Sequence, residues 1–216
     1  MKKEKYESYI LKLTHRLTEP LPGKTGHARM EPVTRKQFLQ NYKHASEPRK
    51  SAVMILLFNQ IDGLHTFFIE RNVYDGVHSG QISFPGGSFE KSDTDLFHTA
   101  LRETEEEIGI KATDIKIIGK LSDIYIPPSN FDVFPVVGYL GKEPILNIDS
   151  SEVQQVFSVS IRELLNGANI GTGKIISREG NEVEVPCYWI HNHMVWGATS
   201  MILSEFIEVI KDIPLP

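Results

Sequence analysis

Cysteine is almost absent: Cys187 is the only one in 216 residues. A single thiol cannot build an internal disulfide framework, so the chain must fold without one and suits a reducing compartment. No apolar run reaches the roughly 18 residues that a membrane-spanning helix needs. The N-terminus opens with lysines, but Glu4, Glu7, Lys12 and Arg16 interrupt the stretch that a secretory signal keeps apolar. Basic excess is missing too. The formal net charge is −5, which argues against broad nucleic-acid binding. Repeats and low-complexity segments are also lacking. These absences lead us to expect a soluble, cytoplasmic protein with neither nucleic acid nor membrane as partner. At 40% hydrophobic the chain can bury a full domain core.

What is present has a clear order. Tyr6, Tyr9, Ile10, Leu13 and Leu17 recur at helical spacing and predict an amphipathic helix over 4–18. Prolines and glycines then predict a loop, followed by a second short helix over 35–43. "SAVMILLF" and "HTFFIERN" are strand runs joined by a turn over "NQIDG", and "GVHSGQISFPGGSFEKSD" is loop-like. Further strands are expected in "DIKIIGKLSDIYI", "FDVFPVVGYLG" and "VQQVFSVSI", with a helical turn in "RELLNG". A hairpin is expected around Glu179-Gly180-Asn181 and a final helix over "GATSMILSEFIEVIKDI". Strands, a central helix, more strands and a closing helix predict a mixed α/β sandwich.

The central helix carries "LRETEEEIGI", with four glutamates in the five positions 103–107. At about 100° per residue, Phe97, Ala100, Leu101, Thr104 and Ile108 share a core face. Glu103, Glu106 and Glu107 share another, while Glu105 points away. Like charges at this spacing repel, so the run is either a solvated face or a seat for something strongly positive. Hard divalent cations take such oxygen ligands. The preceding "FPGGSFE" brings Pro85, Gly86 and Gly87 to the helix, and glycines let backbone approach a ligand closely. Ser92 or Asp93 is expected to cap the helix start, and Gly109 its end.

Gly87, Arg102, Glu103, Glu106, Glu107, Gly109 and Ile110 resemble the Nudix box, G-x5-E-x7-R-E-U-x-E-E-x-G-U with U apolar. "RETEEEIGI" matches except that Thr104 replaces an aliphatic residue. The first half is longer by one residue, which restores Gly87 and gives Asp93 the early acidic role. Arg71, Gly80, Phe84, Pro85, Gly86 and Gly87 are similar to the signature of the coenzyme A pyrophosphatase branch of that family. Asn72 and Gly76 depart from the branch pattern. The resemblance spans about residues 50–205.

The resemblance implies a Nudix-type α/β/α sandwich with a mixed β-sheet over 48–216, preceded by an N-terminal helical extension over 1–47. It implies Mg²⁺- or Mn²⁺-dependent hydrolysis of a nucleoside diphosphate linked to another group. For this branch the substrate is coenzyme A or an acyl derivative, cut to adenosine 3′,5′-bisphosphate and 4′-phosphopantetheine. ADP-ribose or dinucleoside polyphosphates are the alternative substrates, and a non-catalytic nucleotide-binding regulator is a further one. Glu103, Glu106, Glu107 and the Gly87 carbonyl are the implied metal ligands, and Arg102 is expected to orient a glutamate through a bidentate contact. The general base is either a box glutamate or Glu152, whose other reading is an ordinary loop glutamate. Arg71 and His78, with Gly86 and Gly87, are candidates for the diphosphate. The alternative for Arg71 is pairing with an acid at a strand end, and for His78 it is a solvent-facing loop. Trp196 and Tyr188 are candidates for stacking on adenine or for the core. Lys24, His27, Arg29 and Arg35 form a basic patch that either receives a 3′-phosphate or is plain surface. A monomer and a homodimer are both open.

Overall fold

The computed structural model describes residues 2–41, 46–73, 78–167, 169–177 and 180–216. "SAVMILLF" is apolar at nearly every position because strand β1 (Arg49–Asn59) is buried on both faces. Ile55 and Leu57 enter one core, while Met54, Leu56 and Phe58 enter the other. The two-residue period of a strand thus serves two layers with one run. β2 (Leu64–Arg71) returns antiparallel, but its register with β1 covers only Leu57–Asn59 against Leu64–Thr66. Beyond that the two strands part, and their freed backbone edges need other partners. Two short strands supply them. β3 (Ile82–Ser83) pairs with β2, and β4 (Gly86–Ser88) pairs with β1. The stretch expected to be loop is therefore partly strand.

β5 (Lys116–Lys120) and β6 (Ile124–Ile126) both lie antiparallel to β7 (Phe131–Leu140). β7 runs parallel to β1 from Arg49↔Phe131 to Phe58↔Leu140. β8 (Val153–Ser160) completes the mixed eight-stranded sheet on the far side of β2.

Helices cover both faces of the sheet. α1 (Lys2–Arg16) buries Tyr9, Ile10 and Leu13 in the core of its own chain. The following segment, expected as loop, forms α2 (Lys24–His27) and a 3-10 turn, and α3 (Val33–Asn41) starts two residues before its expected place. α4 (Leu96–Ile108) packs Ala100 and Ile108 against the β1 face that carries Met54 and Leu56. α5 (Ile161–Leu165) is capped by Ser160, and β9 (Ile170–Ile176), β10 (Glu182–Ile190) and β11 (His193–Trp196) form a second, antiparallel sheet. β11 was not expected. His191 and Asn192 take positive φ (47° and 69°) between the paired residues Ile190 and His193, a two-residue hairpin turn that Asn favours. α6 (Gly197–Ile210) closes the face opposite α4 with Met201, Ile202, Phe206 and Val209. The result is an α/β/α sandwich. Glu179, at the expected hairpin tip, and Gly76 lie outside the described residues. Among the described residues no helix is long and apolar enough to cross a membrane.

The buried face of α1 makes the extension part of the fold. Leu13 is fully buried, whereas Leu11 on the same helix is 66% exposed. Leu13→Ala is expected to lower the unfolding free energy by about 2–5 kcal/mol. Chemical denaturation beside a Leu11→Ala control measures this, and equally small effects at both positions would mean that the helix is not docked.

Candidate active site

The site begins where β4 meets α4. Gly86 adopts φ 153°, and a Cβ there would lie 2.6 Å from the Val53 Cα, so only glycine lets β4 run this close to β1. At Gly87 a Cβ would collide with the Glu103 carboxylate. The glycine pair therefore brings bare backbone against the acidic helix. Asp95, extended at φ −162°, caps α4 by accepting from the His98 N–H at 2.8 Å. This corrects the expected cap at Ser92 or Asp93, and the reason is that the Asp93 carboxylate is otherwise engaged. It accepts from Thr99 Oγ1 at 2.9 Å, from the Glu90 N–H at 3.0 Å and from Arg102.

Arg102 makes its two-pronged contact with Asp93, not with a glutamate as expected: Nε to Oδ1 is 2.9 Å and Nη2 to Oδ2 is 3.0 Å. Asp93 is wholly buried, and the guanidinium holds its carboxyl well below the usual carboxylate range. Nη2 also donates to the Ser88 carbonyl at 2.9 Å. Nη1 then reaches the helix, 2.9 Å from Glu103 Oε1 and 2.7 Å from Glu106 Oε2. A planar fork serves this arrangement, because each edge faces a different acceptor set.

Glu107 is the most buried of the four glutamates, at 1% exposure. It accepts from the Gly86 N–H at 2.8 Å and lies 3.4 Å from Arg71 Nη1. The same Nη1 donates to the Gly86 carbonyl at 3.3 Å. Burial pushes Glu107 up to about 8, with Arg71 acting in the opposite sense. Glu103 is also raised by burial, opposed by Arg102. Glu105 points away and accepts from the Ala112 N–H at 2.9 Å. All four glutamates thus have a partner. Thr104, the departure from the box pattern, is buried and returns its hydroxyl to the Ala100 carbonyl at 2.6 Å, so the site tolerates its polar atom.

Glu152 is exposed, and its charge helps raise both Glu103 and Glu107. Its carbonyl accepts from the Asn72 N–H at 2.9 Å, tying the end of β2 to the start of β8. His78 lies in a turn before β3, with Nδ1 3.1 Å from Gln81 Oε1. Tyr188 is a core residue at 2% exposure, and Trp196 is half-buried at the start of α6. Sequence reasoning missed Asp95, Thr99 and the Ser88 carbonyl. An Asp immediately before the first helical residue was the available signal for the cap.

A divalent cation calls for several oxygen ligands that converge. Among the described residues no three acidic or histidine side chains already converge on one point. Arg102 Nη1 stands between Glu103 and Glu106. Two desolvated carboxylates beside a glycine backbone nonetheless form a hard-oxygen cradle of the kind that Mg²⁺ or Mn²⁺ takes. The donor set fits such an ion.

Residues 48–178 match the NUDIX domain. A Caenorhabditis elegans protein called Nudix hydrolase 3 is 30% identical over 82% of this chain and 85% of its own length. An uncharacterized Nudix hydrolase NudL from Klebsiella pneumoniae is 32% identical over 77% and 85%, respectively. Among solved structures, the Nudix hydrolase RenU from M. smegmatis superposes with a TM-score of 0.55 at 12% identity, covering 82% of this chain and 94% of that one. The chain belongs to the Nudix family. It is a pyrophosphohydrolase acting on nucleoside diphosphate derivatives, and the family uses divalent metal ions.

The raised Glu107 has a sign that can be measured in chelator-treated protein. A glutamate in the unfolded chain titrates near about 4.3, whereas the folded value is about 8. Between those values the native state binds the extra proton, so this group's contribution to stability falls as pH rises. Glu107→Gln is expected to remove that decline, and the difference from wild type should grow by on the order of a few kcal/mol between pH 5 and 8. Urea denaturation across this range measures it. Parallel curves for the two proteins would show that Glu107 is not desolvated.

Proposed function

We propose that the protein hydrolyses the diphosphate of coenzyme A or an acyl-coenzyme A. Water divides the anhydride into adenosine 3′,5′-bisphosphate and (acyl-)4′-phosphopantetheine. One observation carries this reading. Arg71 and the Gly86-Gly87 pair, which belong to the stretch resembling the coenzyme A branch, lie against two of the box glutamates, Arg71 and Gly86 against Glu107 and Gly87 against Glu103. Arg71 Nη1 lies 3.3 Å from the Gly86 carbonyl and 3.4 Å from Glu107.

Glu103, Glu106, Glu107 and the Gly87 carbonyl would hold Mg²⁺ or Mn²⁺. An ion held there would neutralise the diphosphate and lower the pKa of a water. Arg102 acts as a positioning residue. Its Nε and Nη2 are held by Asp93 and the Ser88 carbonyl independently of the glutamates. Arg71, at the end of β2 and partly exposed beside Glu107, is our candidate for a phosphate oxygen, as is His78 in the turn before β3. The base that takes the water's proton is a box glutamate or Glu152, whose charge is felt by Glu103 and Glu107. Residues 48–216 form the hydrolase unit in this reading, preceded by the extension 1–47; the family match beginning at residue 48 supports that division.

The test is product analysis with Mg²⁺ or Mn²⁺ on a panel of coenzyme A, acyl-coenzyme A esters, ADP-ribose and dinucleoside polyphosphates. Adenosine 3′,5′-bisphosphate should be the main nucleotide product, and preferred cleavage of ADP-ribose or a dinucleotide would overturn the substrate assignment. Glu106→Gln is expected to cut kcat by on the order of 10²-fold or more. For Glu152→Gln, an unaltered pH–rate profile would leave the base among the box glutamates.

A further inference from the structure

A cavity of about 890 Å³ opens beside the acidic site and is walled by the N-terminal segment. Its volume falls within the range of small-molecule sites. The strand registers fix where it lies. Gly87 pairs with Ala52 on β1, Lys50 two residues earlier pairs with Asp132 on β7, and Asp132 pairs with Tyr125 on β6. The Phe89 N–H donates to the Lys50 carbonyl at 2.9 Å, so the chain leaving Gly87 runs directly to the cavity wall. Adjacent strands are about 4.8 Å apart, which sets the cavity within the span of one nucleotide from the glycine pair.

The lining is divided by chemistry. Leu96, Tyr125 and Phe134 supply apolar and aromatic surface, and Lys24, Lys36 and Lys50 supply charge. Arg35 is already committed to Glu31 and to the Tyr125 carbonyl, and Asp123 to Lys120. Among the described residues the three lysine ammonium groups have no partner, and Asp132 is the one lining carboxylate without one. The lining therefore carries an unneutralised positive excess next to apolar surface, where the Phe134 ring already has Lys120 Nζ 4.3 Å from its centroid.

The wall that presents Lys24 is rigidly built. Glu205, fully buried on α6, accepts from the Gly23 N–H at 2.8 Å and from Ser122 Oγ at 2.7 Å, and lies 2.9 Å from His27 Nε2. Ser204 Oγ donates to the Gly26 carbonyl at 2.7 Å. Residues on either side of Lys24 are thus anchored to the C-terminal helix and to the β5–β6 connection. A floppy surface patch would not need a buried carboxylate to fix its backbone.

We propose that this cavity binds the nucleoside end of the substrate and that Lys24, Lys36 and Lys50 recognise a phosphate monoester on its ribose. The proposal rests on the hydrolase reading above and deepens it. The extension becomes a specificity element, since Lys24 and Lys36 precede the residues matched to the NUDIX domain, which start at 48.

Calorimetric titration of the full-length protein without metal separates binding from turnover. The probes are adenosine 3′,5′-bisphosphate, adenosine 5′-monophosphate and inorganic phosphate. Wild type is expected to prefer the bisphosphate over the monophosphate by about tenfold or more, as a charge-assisted contact allows. Lys24→Ala/Lys50→Ala should lose most of that preference, and Lys24→Arg/Lys50→Arg should retain it. The lysines are exposed, and thermal melts of each variant confirm folding. Equal affinity for the two nucleotides, a preference that survives the alanine pair, or phosphate binding as tightly as the bisphosphate would each overturn the proposal. Coenzyme A cleavage with a lysine-independent preference would remove the cavity and keep the hydrolase reading. A lysine-dependent preference in a protein that does not cleave coenzyme A would do the reverse.

Discussion

Two carboxylates, Glu103 and Glu107, are kept out of water against a strand of bare glycine backbone, and much of the local structure exists to permit this. A buried carboxylate is costly unless hydrogen-bonded or paired. Glu107 receives the Gly86 N–H and Arg71, and Glu103 receives Arg102. Neither arrangement compensates the burial fully, because both groups remain raised. Such a deficit of positive charge at one point is what the proposed cation would fill. The deficit arises from topology. β1 and β2 part after three residue pairs, β4 enters beside β1, and only glycine fits at the crossing.

Asp93 and Arg102 form the second layer of this design. Burying an ion pair is a weak source of stability, but an incomplete pair is expensive. Here the pair is completed by Thr99, the Glu90 N–H and the Ser88 carbonyl. One guanidinium thus fixes the loop leaving β4, the entry to α4, the adjacent Glu103 and, a turn further on, Glu106. In the resting protein this arginine supplies part of the positive charge that the acidic run requires, reaching Glu103 and Glu106 through a single nitrogen.

Much of this was legible in the sequence, for physical reasons. The 3.6-residue period separated the core face of α4 from its acidic face, and the apolar run marked β1 as a buried strand. "FPGG" before an acidic helix signalled close backbone approach. Other features lay beyond single-sequence reasoning. Whether Arg102 grips an aspartate or a glutamate depends on the path of the loop from Ser88 to Asp95, which no periodicity encodes. β3 and β4 are two and three residues long, set by where β1 and β2 diverge rather than by strand propensity. Glu205 did leave a trace. It sits among Met201, Ile202 and Val209 on the buried side of α6, where a charged residue implies a buried partner. That partner came from the N-terminal segment, some 180 residues away in sequence (178 for His27).

Manganese affinity tests the central claim most directly. Electron paramagnetic resonance titration of free Mn²⁺ near pH 8, without substrate, reads ion binding alone. The account predicts that wild type binds Mn²⁺ and that Glu103→Gln/Glu107→Gln weakens binding by more than about tenfold. Equal affinity in the two proteins would contradict it, leaving the buried glutamates as structural acids satisfied by their arginines.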